Sequence, residues 1–158
     1  MQDFPDIYNP PEDERFMSLA LSAAHEAAAR GEVPVGAVIE RGGEVIATAG
    51  NEREARDDPT AHAEIVAIRT AAEILGGWRL AGCTIYVTVE PCPMCAGAIY
   101  QARIEKLVYG AVDEKAGAAG TLMDIVRDRR LNHQVEVSHG VLAEACASVL
   151  KGFFSARR

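Results

Sequence analysis

Two short runs, His62-Ala63-Glu64 and Pro91-Cys92-Pro93-Met94-Cys95, constrain the fold more than any other feature of the chain. One imidazole and two thiolates are the nitrogen and sulfur ligands that suit zinc. Three protein ligands leave the fourth tetrahedral position open for water, which is typical of catalytic zinc sites. The fold is therefore predicted to bring His62, Cys92 and Cys95 together around one zinc ion.

Glu64 is the candidate acid–base residue of this predicted site. Zinc that carries two thiolates keeps little positive charge, so it acidifies water less than zinc bound by neutral histidines and needs a nearby base. Two residues at i and i+2 of a regular helix point about 200° apart. His62 and Glu64 can therefore share a site only in the first turn of a helix, where the metal lies beyond the helix end.

The local sequence favours a helix start at each run. The turn and capping sequence Asp57-Asp58-Pro59-Thr60 precedes the first run, and residues 63–75 contain no glycine or proline. Pro93 suits the first position of a second helix. Cys92 and Cys95 then lie on one helical face near an N-terminus, where the helix dipole favours thiolates.

The periodicity of the chain predicts one α/β domain. Residues 1–11 carry three prolines and little periodicity, so we expect a flexible N-terminal tail followed by a single domain over residues 12–158. Cys92 follows a predicted strand, and the carboxyl end of a strand is where open α/β sheets bind ligands. The predicted helices are 12–30, 61–75, 93–103, a short one at 122–127 and 141–155, and the predicted strands are 35–40, 44–49, 84–89, 106–111 and 135–137.

Composition limits the class of protein. The 158 residues are 49% hydrophobic and 25% charged, as in a globular domain with room for a core. No apolar run approaches the roughly 18 residues of a membrane span, and the acidic N-terminus does not match a signal peptide, so we expect a cytoplasmic protein without a membrane partner. Cys83 and Cys146 lie in apolar runs, which favours a reducing compartment. The net charge of −7 argues against a general nucleic-acid binder.

Further motifs surround the two runs. They are Glu32-Val33-Pro34-Val35-Gly36-Ala37-Val38, Asp58-Pro59-Thr60-Ala61-His62-Ala63-Glu64-Ile65, the run YVTVEPCPMCAGAI over residues 86–99, Tyr109-Gly110-Ala111 with Asp113 and Lys115, and Leu131-Asn132-His133. Together, over residues 16–158, they closely resemble the bacterial tRNA-specific adenosine deaminases, a family of the cytidine deaminase superfamily. The resemblance implies a cytidine-deaminase-like three-layer α/β/α sandwich with a mixed five-stranded sheet, one Zn²⁺ per subunit and a homodimer.

The resemblance also implies a reaction. The substrate is the wobble adenosine in the anticodon loop of an arginine tRNA, which becomes inosine by hydrolysis. A zinc-bound hydroxide attacks C6 of adenine, while Glu64 takes a proton and returns protons to the ring and to the leaving ammonia. An unpaired loop base can leave its stack without melting a duplex, which suits such an enzyme.

Three candidate substrate contacts come from the same resemblance and lie near the first run. Asn51 hydrogen-bonds the target base, a task suited to an amide because it both donates and accepts. Pro34 and Val35 form the backbone and apolar wall beside the base. Residue chemistry alone also allows Asn51 to be a turn residue that tolerates unusual backbone angles.

Four further candidate contacts lie toward the C-terminus. Asp113 and Lys115 resemble positions near the substrate loop, and Phe153 and Arg157 resemble part of a terminal helix that closes over the RNA. Three of the four also have a simpler explanation. Asp113 and Lys115 are compatible with solvated surface charges, and Phe153 is compatible with a core position.

Three alternative functions remain open. A free nucleobase deaminase for guanine or cytosine keeps every catalytic residue, and Tyr100 resembles guanine deaminases more than the tRNA enzymes. A CxxC oxidoreductase uses the two thiols as a redox pair but leaves His62 and Glu64 without a role. A zinc-stabilised binding module requires a fourth protein ligand, for which the sequence offers no well-spaced candidate.

Overall fold

The structure, a computed structural model, describes residues 10–157. Most of the predicted N-terminal tail, residues 1–9, and Arg158 lie outside the described residues. At the other end of that tail, Pro11 is the first residue of a helix, because proline already has the φ angle that a first helical position needs.

The described residues form five helices and five strands. The helices are α1 (Pro11–Ala29), α2 (Arg53–Arg56), α3 (Ala63–Leu75), α4 (Pro93–Gln101) and α5 (Ala143–Ala156), and the strands are β1 (Gly36–Arg41), β2 (Glu44–Gly50), β3 (Cys83–Val89), β4 (Lys106–Ala111) and β5 (Glu136–His139). They form one sheet of strand order β2-β1-β3-β4-β5. β1 is antiparallel to β2 and β3, whereas β3, β4 and β5 are parallel. The predicted mixed five-stranded sheet is therefore confirmed.

Alternation along the strands places apolar side chains on both faces of the sheet. On one face, Ile39, Ile85 and Leu107 belong to a buried cluster that includes residues of α3 and α4. On the other, Val38 and its neighbours on β3 and β4 pack with residues of α1 and with Cys146 of α5. Successive strand residues point to opposite faces, so each central strand contributes to both clusters. The predicted three-layer α/β/α sandwich is confirmed.

Two local predictions differ from the structure. Residues 122–127 form bends, a turn and an isolated β-bridge between Asp124 and Ala119 instead of a short helix. The Asp124 side chain also accepts the backbone N–H of Arg127, a local bond that competes with helix formation. The short helix α2 was not predicted. Its second and third backbone N–H groups, those of Glu54 and Ala55, donate to the carboxylate of Glu32 at 3.0 and 2.8 Å, so the first turn of α2 depends on a distant side chain.

The strand register gathers four chain segments at one edge of the sheet. Gly36 at the start of β1 pairs with Gly50 at the end of β2. The end of β3 lies beside the start of β1 and beside the end of β4, where Val89 pairs with Ala111. The predicted site residues next to these strand ends, Val35, Asn51, Cys92 and Asp113, therefore lie at this edge. None of the helices in residues 10–157 is long and apolar enough to cross a membrane.

Candidate active site

The first run lies at the N-terminus of α3. His62 is the residue that caps the helix, with extended backbone angles (φ −69°, ψ 154°), and Glu64 is the second helical residue. The two side chains therefore belong to the first turn, as their shared site requires. Leaving the helical conformation at His62 removes the divergence that a regular helix imposes on positions i and i+2.

The second run lies at the N-terminus of α4. Cys92 precedes the helix in an extended conformation, and Pro93 takes the first helical position, as predicted. Nδ1 of His62 lies 3.7 Å from Sγ of Cys92 and 3.5 Å from Sγ of Cys95. Tetrahedral zinc with ordinary bond lengths requires nitrogen–sulfur separations of about 3.6 Å. The three donors thus have the spacing of a zinc site.

These three residues form a donor set with an open side. Among residues 10–157, His62, Cys92 and Cys95 are the one group of three or more His, Cys, Asp or Glu residues whose ligand atoms all lie within 4.8 Å of one another. No fourth residue of these types joins them there. Three donors suit a site that keeps one coordination position for water, whereas a purely structural zinc site uses four protein ligands.

The donor atoms compete for protons. Hydrogen bonds from Cys95 and His62 lower the pKa of Cys92 to about 4. The same bonds raise the pKa of Cys95 and the pKa of His62, which keep protons in contact with the Cys92 thiolate. A divalent cation bound by these atoms would replace the protons, because metal binding requires deprotonated ligands. The chemistry of the donor set therefore fits zinc.

Glu64 is a buried carboxyl group beside the donors. Its side chain belongs to a residue only 3% exposed, and burial raises the pKa of Glu64 to about 7. Desolvation disfavours the charged form of a carboxyl group, which explains the direction of the shift. A group that titrates near neutral pH can both take and return a proton, as a general acid–base residue must.

A cavity of about 190 Å³ opens onto His62, Glu64 and Cys92. Ordinary ligand pockets have volumes of ~300–1,000 Å³, so this cavity suits one flat ring better than a whole nucleotide. Its other walls combine apolar and polar side chains. They are Val33, Val35, Val89 and Ala116, with Asn51, Arg53, Glu90 and Asp113.

The predicted substrate contacts divide into two sets around this cavity. Asn51, Val35 and Asp113 line it. Pro34 is buried and Lys115 is exposed, and neither lines the cavity. The backbone N–H of Lys115 donates to Oδ1 of Asp113 at 2.9 Å, so Lys115 contributes to the conformation of a residue that does line it.

Asn51 joins three segments of the site. Its backbone N–H donates to the carbonyl of Val35, and its Oδ1 accepts the N–H of Ala63 in the first turn of α3, each at 3.2 Å. The side-chain oxygen is therefore already engaged within the protein. The Nδ2 donor and the second lone pair of Oδ1 are left for a ligand, so the expectation that the amide both donates to and accepts from a base stays a prediction.

A larger groove of about 570 Å³ shares Val33, Asn51 and Arg53 with the cavity. Phe153 of α5 and Arg157, the residue that follows α5, line it as well. The Arg157 guanidinium lies 3.9 Å from the centre of the Phe153 ring and donates to the carbonyl of Gly31 at 3.4 Å. The C-terminal part of the chain therefore reaches the rim of the site, and closure of this part over RNA stays a prediction.

Several lining residues were missed by the sequence analysis. Arg53 and Glu90 have the clearest chemistry among them, and the apolar Val33, Val89 and Ala116 complete the set. Glu90 directly precedes Pro91-Cys92, and that adjacency was an available signal. Arg53 follows Asn51 by two residues, but only the formation of α2 brings it to the cavity.

Tyr100, which resembles guanine deaminases, does not line the cavity. Its hydroxyl donates to Oδ1 of Asn132 at 2.7 Å, and its ring lies 5.1 Å from the Arg103 guanidinium. Among the residues that the structure describes, Tyr100 therefore has no contact through which it could directly select the substrate base.

Comparison with known proteins agrees with this geometry. The MafB19-like deaminase family matches residues 11–158. The tRNA-specific adenosine deaminase of Bacillus subtilis is 51% identical over 143 residues, which cover 90% of this chain and 89% of that protein. The enzyme of the same name from Haemophilus influenzae is 48% identical over 147 residues, covering 92% and 85%.

Solved structures extend the comparison. One, from biochemical and structural studies of A-to-I editing by tRNA:A34 deaminases at the wobble position, has a TM-score of 0.83 and 46% identity, and the match covers 86% of this chain and 99% of the other. A guanine deaminase from Bacillus subtilis has a TM-score of 0.60 and 44% identity, with 63% and 64% covered. A guanine deaminase from Nitrosomonas europaea, at 22% identity and a TM-score of 0.80, shares the fold.

Fold and donor set together define a hydrolytic deaminase with a cytidine-deaminase-like α/β structure. Sequence identity of 51% and 48% to two tRNA-specific adenosine deaminases, over 90% and 92% of this chain, then identifies the family within this class. The chain belongs to the tRNA-specific adenosine deaminase family.

Proposed function

We propose that this enzyme converts the wobble adenosine of an arginine tRNA anticodon to inosine. One observation supports the proposal most strongly. The possible metal ligands His62, Cys92 and Cys95 lie together, and His62, Cys92 and the buried Glu64 line a cavity the size of a single base. The family supports the choice of a tRNA adenosine, since the relatives with most of their length matched bear that specificity in their names.

His62, Cys92 and Cys95 hold one Zn²⁺ per subunit in this proposal. Their donor atoms have zinc-like spacing, and one coordination position remains available for water. When bound, zinc supplies Lewis acidity that lowers the pKa of water toward neutrality.

Glu64 transfers the protons of the reaction. It takes a proton from the attacking water, gives one to the purine ring and helps the amino group leave as ammonia. A C6–O bond forms and the C6–N bond breaks, so adenosine and water become inosine and ammonia. The buried position and raised pKa of Glu64 support both directions of transfer.

The cavity walls orient the base. Nδ2 of Asn51 donates to the purine edge, while Oδ1 keeps its hydrogen bond with the backbone N–H of Ala63. Val35 provides an apolar wall, and Pro34, which directly precedes it, fixes the backbone there. Asp113 also lines this cavity, and the exposed Lys115 donates its backbone N–H to Oδ1 of Asp113. This arrangement suits a splayed loop base, which offers both faces and one edge.

The groove next to the cavity contacts the flanking nucleotides. Arg53 and Arg157 place two guanidinium groups along it, and Phe153 supplies an aromatic surface. Guanidinium groups bind phosphates and stack on bases, so a local basic groove can bind RNA although the whole chain carries a net charge of −7.

We also propose that residues 12–158 act as one domain, that the enzyme works in the cytoplasm and that it forms a homodimer. The two core clusters share one sheet, which supports a single domain. All four cysteines are free, which supports a reducing compartment. An apolar groove of about 490 Å³ beside exposed Trp78, between α3 and α4, is a surface that a second copy can cover. Sedimentation should give twice the mass of the 16.9 kDa chain.

The deciding experiment offers the zinc-loaded enzyme an arginine anticodon stem-loop RNA and, separately, free guanine, cytosine and adenosine, with inosine and ammonia as readouts. We expect inosine at the wobble position alone. A free nucleobase deaminase is the second candidate, because the Bacillus subtilis guanine deaminase is 44% identical over the matched part. Ammonia from a free base with intact RNA would establish that candidate instead.

A further inference from the structure

Glu90 is a buried carboxylate that the reaction proposed above does not use. It is 1% exposed and lies between β3 and Cys92. Oε1 accepts the backbone N–H of Asp113 at 3.1 Å and the hydroxyl of Thr121 at 2.5 Å. Oε2 accepts the backbone N–H groups of Ala119 and Thr121 at 3.0 and 3.1 Å. Each oxygen thus has two donors, and all four belong to residues 113–121, the segment after β4.

We call this segment the 113–121 loop. The loop packs tightly enough around the carboxylate to exclude a side chain at Gly117. A Cβ atom there would lie 2.5 Å from both Cδ and Oε1 of Glu90 and 2.5 Å from the Asp113 carbonyl. Such separations are far shorter than a non-bonded contact allows. Glycine is therefore needed at 117 for space.

Glu90 connects the 113–121 loop to the segment that leads into α4, the helix that carries Cys95. Its backbone N–H donates to the carbonyl of Ala111 at 2.8 Å, and the N–H of Ala118 donates to the carbonyl of Pro91 at 2.9 Å. The loop carries Asp113 and Ala116 into the cavity wall, which Cys92, the residue before α4, also lines. The carboxylate of Glu90 and these backbone bonds therefore join this wall to the segment that leads to the proposed zinc ligands.

We propose that Glu90 is a positioning residue that holds the 113–121 loop, and with it Asp113, in the geometry that binds the nucleotide substrate. The inference rests on the proposed function in one respect, since it assigns Asp113 to the substrate side of the cavity. Glu90 acts through the loop and not on the reacting atoms, so its loss should weaken substrate binding more than it slows chemistry.

The substitution Glu90→Gln is the sharpest test because it preserves the size of the side chain. Whichever way the new amide turns, its NH₂ group faces two donors, and two of the four hydrogen bonds are lost. We expect KM for the anticodon stem-loop to rise about tenfold or more, with kcat changed by less than about threefold. Zinc content should stay at one per chain.

Amide hydrogen exchange supplies a readout that does not depend on the substrate. In Glu90→Gln the amides of Asp113, Ala119 and Thr121 should exchange faster, while those of α3 keep their protection. If the unmodified enzyme did not deaminate RNA, the proposed function would fail, yet exchange would still test the role of Glu90 in holding the loop. KM for whichever free base is deaminated would then replace KM for RNA.

Glu32→Gln is the matched control. Glu32 is equally buried, and its carboxylate accepts two backbone N–H groups, those of Glu54 and Ala55. Its substitution should speed exchange at residues 54 and 55 and leave the 113–121 loop protected. Gly117→Ala should reproduce the rise in KM, whereas Gly77→Ala, where a Cβ meets no atom within 4 Å, should not.

Two results would overturn the proposal. One is an unchanged KM together with unchanged exchange in the 113–121 loop. The other is loss of zinc with a fall in kcat and no rise in KM. That result would mean that Glu90 supports the proposed zinc ligands at the start of α4 and not the 113–121 loop. If Glu90→Gln did not fold, Thr121→Val would decide, because it removes only the hydroxyl bond to Oε1 and should speed exchange at Thr121 and raise KM less.

Discussion

At the scale of single residues, a short sequence spacing produces a site only because each run coincides with a helix end. His62 and Cys92 both precede the first helical residue in extended conformations. The side chains of His62, Cys92 and Cys95 can then approach one another at the N-terminal ends of the two helices. An interior position in either helix would have separated His62 from Glu64 by the ordinary helical rotation.

Glu64→Gln should separate metal binding from turnover. The amide keeps the size of the side chain and cannot take up a proton, so kcat should fall by about 10²–10⁴-fold, the usual contribution of a general acid–base group. Zinc measured by atomic absorption should remain at one per chain. Cys92→Ala is the contrasting variant and should lose zinc. Full activity in zinc-loaded Glu64→Gln would refute the role given to Glu64.

Asn51→Asp tests which half of the amide serves the substrate. An aspartate oxygen can still accept the N–H of Ala63, so the start of α3 and the zinc content should be retained. The Nδ2 donor is lost, and KM for the stem-loop should rise about tenfold, the value of one hydrogen bond of ordinary strength. The Asn51→Ala variant, which loses both halves, should also melt at a lower temperature. An unchanged KM in Asn51→Asp would assign Asn51 a structural role alone.

At the scale of elements, helix α1 approaches strand β1 unusually closely. A Cβ atom on Gly36 would lie 1.8 Å from the carbonyl oxygen of Ala20 and 2.8 Å from the backbone nitrogen of Ala24. Both are backbone atoms of α1, so the helix would have to move as a unit. Gly36 begins the strand that borders the cavity, and this contact therefore helps to define where the site edge lies.

Gly36→Ala should destabilise the protein by about 3 kcal/mol, the upper part of the usual range for an overpacked core. Urea denaturation monitored by circular dichroism gives the free energy of unfolding, with an unchanged m-value expected. Gly77→Ala serves as the control, because a Cβ there has open space, and should change stability by less than about 0.5 kcal/mol. Equal stability of the two variants would contradict the tight α1–β1 contact.

The short helix α2 is stabilised by a tertiary contact and not by its local sequence. Its backbone N–H groups donate to Glu32, which is 22 residues from Glu54. Local propensity gave no reason to expect a helix at Arg53–Arg56. A distant carboxylate supplies the capping that a neighbouring Ser, Thr, Asp or Asn usually provides, and it thereby brings Arg53 to the cavity.

At the scale of the whole molecule, the buried core clusters and the proposed zinc ligands occupy different parts of the fold. The two buried clusters lie between the sheet and the helices on either face, whereas the donors lie at one edge of the sheet. The fold should therefore persist without metal, unlike a small zinc finger, whose folding depends on its ion.

Removal of zinc with a chelator should lower the melting temperature and leave the secondary structure intact. At free zinc about 100 times its Kd, binding contributes about 2.7 kcal/mol, which corresponds to a shift of about 5–10 °C for a chain of this length. Far-ultraviolet circular dichroism follows the secondary structure, and added zinc should restore the original melting temperature. Unfolding of the sheet on chelation would show that the metal is part of the core.

The sequence by itself determined the donor types, the helix starts and the alternation that makes a two-faced sheet, because these depend on spacing and on local backbone preferences. Pro93, the capping run before His62 and the β-branched strand residues are all local signals. Family resemblance added the sandwich fold, which the strand order confirms.

Only the tertiary structure decided which side chains line the cavity and what holds them there. Glu90 and Thr121 are 31 residues apart, and Glu32 and Ala55 are 23 apart, yet each pair is hydrogen-bonded. Such contacts arise where the register of the sheet brings separate loops to one edge, so no local pattern records them. The engaged oxygen of Asn51 became visible for the same reason, since its partner Ala63 meets it only in the folded chain.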